Sequence, residues 1–220
     1  MYELELKEKL FGLPVFSLGD VNQIVKNRAY AKKVIKRMIE KGIVVKIKKG
    51  LYTFHRDPFL VSTFILKPSY ISSVSALYYF HKITQIPTHI FCATIKRPKT
   101  YNFLTKISFF HTNYFFGFKL VEYENFKIPI ATPEKAIIDS VGVVPLSLIK
   151  EALDKINVER MMEYLEKTGK SSIVKRMGYL LEESGYDVYG KLKKFINSKY
   201  IYLDPLIKGK TKNKKWEIII

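Results

Sequence analysis

Residues 27–54 constrain the fold most tightly. Ala31, Val34, Ile35, Met38 and Ile39 recur at i, i+3, i+4, i+7 and i+8. Only an amphipathic helix gathers those positions on one face. Asn27 stands where the cap of such a helix belongs, and Gly42 closes it, so a helix is predicted over about 28–41. Lys32, Lys33, Lys36, Arg37 and Glu40 then fall on the opposite face. Directly afterwards the period changes. Val45 and Ile47 alternate with Lys46 and Lys48, as in a half-exposed strand, and Lys49-Gly50 offers a tight turn into Leu51-Tyr52-Thr53-Phe54. A basic helix followed by a basic hairpin is the arrangement with which a winged helix-turn-helix grips DNA.

The preceding residues fit that expectation. A first helix is predicted over 2–12, with Leu4, Leu6, Leu10 and Phe11 as its apolar positions and Gly12 as its stop. Ser17 caps a second helix to about Val25, with Leu18, Val21, Ile24 and Val25 inward. In the third helix, Asn27, Arg28, Tyr30 and Lys33 lie in the half that reaches base edges in a major groove. Lys32, Lys36 and Arg37 are better placed for phosphates. Lys46, Lys48 and Lys49 of the hairpin would each neutralise a phosphate and release counterions. Each feature alone reads blandly, as a solvated helix face or a hairpin kept soluble by lysine. Together they favour DNA.

Charge agrees. The net charge is +18, and residues 1–56 hold 13 Lys/Arg against 5 Asp/Glu, the highest density in the chain. Such an excess implies a polyanionic partner. The single cysteine, Cys92, excludes an intrachain disulfide framework and a cysteine-based zinc cage, and its apolar surroundings make it a core residue. The acidic start Met1-Tyr2-Glu3-Leu4-Glu5 is unlike a signal peptide, and no apolar run is long enough for a membrane helix. A cytoplasmic protein with no membrane partner is expected.

Beyond residue 57 the pattern is mixed. A helix over 72–80 is followed by strand-like runs at 89–95, 106–111, 118–123 and 126–130, then a helix from Pro133 through Asp139. Short antiparallel strands are expected here. From Pro145 the pattern turns helical, over about 146–156, 158–168, 171–184 and 187–198. A lysine loop at 208–215 and a strand-like 216–220 end the chain. No catalytic motif appears. The four histidines lack metal-ligand spacing, and no cofactor or metal site is expected. A nuclease would need converging carboxylates, and only Glu122 and Glu124, sharing a strand face by parity, hint at one. In an RNA-binding reading Phe109-Phe110 offers rings on which bases stack, though such aromatics more often fill a core.

Three stretches carry a resemblance to a known family: Lys41 to Tyr52; Tyr70 to Tyr78 with Ile86-Pro87 and the strand Ile90 to Arg97; and Ile130-Ala131-Thr132-Pro133-Glu134-Lys135-Ala136-Ile137-Ile138-Asp139. Over roughly residues 10–145 the chain resembles the AbiEi family, the antitoxins of type IV toxin–antitoxin systems of the abortive-infection type. Lys175 to Leu181 is also similar. The family more often has arginine where this chain has Lys135. The resemblance implies a winged helix that represses its own operon at inverted repeats. It also implies a C-terminal portion that counters a nucleotidyltransferase-like toxin, acting on the toxin's effect, with direct binding not the defining feature.

The expected molecule is therefore an α/β (α+β) protein that is not an enzyme. It has a winged helix-turn-helix at 1–56 and an AbiEi-like antitoxin domain at 57–220, mixed α/β to 144 and mainly helical from 145. Its partner is double-stranded operator DNA, bound by a dimer or by cooperating copies. The alternative is a winged-helix regulator with no toxin partner.

Overall fold

The computed structural model describes residues 2–220. Helices and several sheets mix along the chain, an α+β arrangement. Two compact units form, each from separate stretches: Met1–Ile71, Thr88–His111 and Leu120–Pro129 in one, Ser72–Pro87, Thr112–Lys119 and Ile130–Ile220 in the other. The units thus do not part at residue 56, although residues 6–54 close a hydrophobic core of their own.

In the first unit, α1 (Tyr2–Leu10) is followed by β1 (Phe16–Ser17), α2 (Leu18–Val25), α3 (Arg28–Glu40), β2 (Val45–Lys48) and β3 (Leu51–Thr53). Leu6 and Leu10 of α1 are buried, but Leu4 is 66% exposed and Phe11 49%, against the expectation for both. Leu4 lies two residues from Leu6, roughly 200° round the helix from it, and Phe11 lies beyond the helix end. Ser17 and Asp20 form a reciprocal capping box at the start of α2, and Lys26 ends that helix in a left-handed conformation. β1, β3 and β2 pair in that order as a small sheet.

The unit continues with α4 (Pro58–Ile65), whose start is capped by the Asp57 carboxylate and carries Pro58 in its first turn. Its run is apolar nearly all round, so no periodicity reveals it in the sequence. Then come β4 (Ser69–Ile71), β5 (His89–Thr94), β6 (Lys99–Phe103), β7 (Thr105–His111), β8 (Phe118–Tyr123) and β9 (Phe126–Ala131), in a six-stranded sheet ordered β6-β7-β5-β4-β9-β8. This sheet is mixed, not purely antiparallel. β6 folds back on β7 and takes the edge, leaving β5 and β7 side by side and parallel from His89↔Lys106 to Thr94↔His111.

The second unit is mainly helical: α5 (Ser73–Tyr79), α6 (Pro133–Ser140), α7 (Leu146–Ala152), α8 (Val158–Thr168), α9 (Ser171–Glu183) and the single turn α10 (Tyr189–Leu192). The helix expected over 187–198 is therefore a short turn running into a 3-10 turn at Lys193–Phe195. A small sheet closes the chain, with β12 (Ile218–Ile219) between β10 (Ile201–Tyr202) and β11 (Lys212–Asn213). Trp216 is buried against Gly178 of α9, and its indole N–H donates to Glu182 at 2.8 Å. Burial pushes the Cys92 thiol up to about 12, as suits an inert core residue. No helix among the described residues is long and apolar enough to cross a membrane.

Candidate nucleic-acid interface

α3 is anchored by Ala31, Val34, Ile35 and Met38, all buried, with Ile39 half-buried against the same core, so its polar residues face outward. Arg28, Tyr30, Lys32, Lys33, Lys36 and Arg37 are all exposed. Beside the helix, β2 brings up Lys46. A groove of about 320 Å³ lies between them, floored by Leu18, Ile35, Ile39 and Tyr52, with Lys32, Lys36, Glu40 and Lys46 around it. The helix and the hairpin, separate in sequence, thus present their lysines together. Three ammonium groups against one carboxylate favour an anionic occupant.

Other candidates are placed differently. The Asn27 side-chain oxygen accepts the Tyr30 backbone N–H at 3.0 Å and caps α3. Reading adenine bidentately needs both the oxygen and the amide nitrogen, and the cap commits one lone pair of that oxygen and turns it toward the helix's own backbone. Arg37 pairs with Glu3 of α1 at 2.6 Å, which Lys41 also reaches at 2.9 Å, and the Lys41 hydrogen bond holds the Glu3 carboxyl below its ordinary value. Lys36 faces Glu40 at 3.8 Å, a loose exposed pair.

Lys48 departs most from expectation. Its ammonium donates to the Ile65 carbonyl at 2.6 Å and lies 5.1 Å from the Tyr101 ring centroid. The cause is a bulge between Lys46 and Lys48, which leaves Ile47 buried and shifts the register against β3. One extra residue reverses the facing of everything after it, so Lys46 and Lys48 no longer share a face. Lys49, at the turn, stays exposed.

The alternative chemistries gain little support. β8 ends at Tyr123, and Glu124 occupies the following turn with φ 47°, so it does not share a strand face with Glu122. Among the described residues no group of three His, Cys, Asp or Glu gathers as for a metal. Phe109 is buried and Phe110 half-buried, so the pair packs. The C-terminal lysine loop is partly built into the fold: Lys215 pairs with Glu182 at 2.6 Å and Lys212 lies over Tyr200, while Lys208, Lys210 and Lys214 are exposed.

The resemblance stretch 130–139 has a structural role. Thr132 caps α6, and Glu134 accepts the Asn157 N–H at 3.1 Å at the start of α8. Lys135 is fully buried, paired with Asp139 one turn on and under the Phe116 ring, and Ser72 donates to the other Asp139 oxygen at 2.7 Å.

One group of exposed cations escapes motif reading. Lys67, Lys96, Arg97 and Lys99 carry no helical or strand pattern. A different signal marks them: from Pro58 to Val121 the chain has seven Lys/Arg and no Asp or Glu. The chain matches no protein-family model, and no curated protein matches it.

Proposed function

We propose that the N-terminal part of the chain is a winged helix-turn-helix that reads duplex DNA, and that the protein is the antitoxin and transcriptional autorepressor of a type IV toxin–antitoxin operon, countering a nucleotidyltransferase-like toxin. The observation that carries the DNA reading is the groove in which Lys32 and Lys36 of α3 meet Lys46 of the hairpin. In this reading α3 enters a major groove, Arg28 and Lys33 reach base edges, and Lys32, Lys36, Lys46 and Lys49 hold phosphates. Inverted repeats in the operator bring two copies together. The antitoxin half rests on the AbiEi resemblance over residues 10–145.

Fluorescence anisotropy with duplex from the gene's own promoter, against a scrambled duplex, tests the DNA half. Arg28→Ala is expected to weaken promoter binding by about 1–3 kcal/mol and to relax sequence preference. Equal wild-type binding to both duplexes would sink it. Co-expression with a neighbouring toxin-like gene tests the antitoxin half; failure to rescue growth would leave a regulator without a toxin partner.

A further inference from the structure

We infer that the first unit carries a small-molecule site away from α3, a pocket of about 520 Å³ lined by Phe11, Gly12, His55, Glu124, Asn125 and Phe126, and that it takes a guanine nucleotide. The site shares no residue with the DNA reading proposed above and does not depend on it.

Three separate stretches of the unit build the pocket, and short-range bonds tie two of them together. Phe11 follows the end of α1, where its N–H donates to the Lys7 carbonyl at 2.9 Å. The buried Thr53 hydroxyl donates to the Pro14 carbonyl at 2.7 Å and accepts the His55 N–H at 2.9 Å. The His55 ring then donates through Nε2 to the Phe11 carbonyl at 3.0 Å. Its centroid lies 5.0 Å from that of Phe11 and 5.0 Å from that of Phe126, edge-on to the latter. The third stretch holds Phe126 and the two-residue turn between β8 and β9, where Glu124 (φ 47°) and Asn125 (φ 66°) are both left-handed. The Phe11 ring is 49% exposed, and the space beside it is open, since a Cβ on Gly12 would meet no atom within 4 Å.

The lining chooses the ligand. Aromatic side chains offer faces on which a planar base stacks. The turn adds a carboxylate and an amide next to each other, both exposed, and no ion pair among the described residues takes up the Glu124 carboxylate. Guanine presents O6, N1–H and the N2 amino group along one edge. A carboxylate accepts from the two nitrogens, and a neighbouring amide nitrogen donates to O6. Adenine turns the N1 lone pair to the same edge, and a carboxylate repels it.

A guanidinium or a quaternary ammonium also suits rings beside a carboxylate. Lys7 argues against either. Its ammonium lies 6.0 Å from the centroid of the Phe11 ring and joins no ion pair among the described residues. It repels a second cation at this ring and attracts the phosphate of a nucleotide.

Isothermal titration of the whole protein with GMP, AMP and argininamide tests the inference. A chain of net charge +18 attracts any phosphate, but GMP and AMP carry the same one, so the difference between them reports the base. GMP is expected to bind at least about tenfold more tightly than AMP, and argininamide not to bind. Glu124→Gln should bring GMP down to the affinity of AMP, and Phe11→Ala should weaken both nucleotides. Both side chains are exposed, and an unchanged thermal melt shows that the variants are folded. Equal affinity for GMP and AMP, a GMP preference that survives Glu124→Gln, or binding of argininamide in place of GMP overturns the inference. No DNA enters these titrations, so their failure is distinct from failure of α3 as the reading element.

Discussion

The two units hold the same number of basic residues, 19 Lys/Arg each, but among the described residues only the second unit buries any of them. In the second unit cations serve the fold. Lys135 is buried beside Asp139, and Lys175 is buried with its ammonium donating to Asn197 at 2.7 Å and to the Lys199 carbonyl at 2.6 Å. Arg176 donates to the Tyr202 carbonyl, and Lys150 and Lys194 bridge to Glu183 and Glu166. In the first unit no lysine or arginine is buried among the described residues, and Arg28, Lys33, Lys49, Lys96 and Arg97 stand in solvent. The lesson is that net charge is a poor guide to a nucleic-acid surface. What counts is charge that the fold leaves unneutralised on one continuous face.

Two matched variants would break that comparison most decisively. Lys32→Gln/Lys33→Gln/Lys46→Gln/Lys49→Gln removes four cations from the first unit, and Lys208→Gln/Lys210→Gln/Lys212→Gln/Lys214→Gln removes four from the second. The first is expected to lower the salt slope of promoter binding by about 3 to 4, and the second by less than about 1. Equal losses would mean that overall charge, and not its placement, governs binding.

A stability measurement sharpens the other side. Lys135→Met leaves the Asp139 carboxylate buried without its cation, and should destabilise the protein by about 3–5 kcal/mol in urea unfolding. Lys96→Met, on the exposed loop, should stay within about 0.5 kcal/mol. The pH dependence has a definite sign. Burial pushes the Lys135 pKa down, partly offset by Asp139, so the folded state releases this proton at lower pH than the unfolded chain. Stability therefore rises with pH from the folded value toward 10.5, and Lys135→Met should lack that rise.

This contrast also explains what was legible in the sequence. α2 and α3 could be read because caps and period agree: Ser17 with Asp20, Asn27, and the stripe from Ala31 to Ile39. The Lys49-Gly50 turn was equally plain. The fate of Lys48 was not, since a bulge leaves no mark in an alternating Val-Lys-Ile-Lys run. Lys135 followed by Asp139 reads as an ordinary solvated i, i+4 pair. Only packing by segments far away in sequence, Phe116 and Ser72 among them, makes it a buried one. Lys67 and Lys96 to Lys99 meet through strand pairing across 25 residues and more, which local patterning cannot show.

Glu3 gives the smallest effect and the finest test. Among the described residues of the first unit it is the one carboxylate that takes two cations, Arg37 of α3 and Lys41 just beyond it, and so offsets part of the charge that this end of the helix would otherwise present. Its pKa is lowered in the folded state, mainly by the Lys41 hydrogen bond. The tie therefore stabilises the fold above its ordinary value of 4.5 and is lost as pH falls through the lower folded value. In acid titrations followed by circular dichroism, wild type should lose stability over that window more steeply than Glu3→Gln. At neutral pH, Glu3→Gln frees both cations, and its salt slope for promoter DNA should rise by about 1 to 2. An unchanged slope would show that Arg37 and Lys41 face away from the duplex even when released. The reading surface of α3 would then be confined to Arg28, Lys32, Lys33 and Lys36.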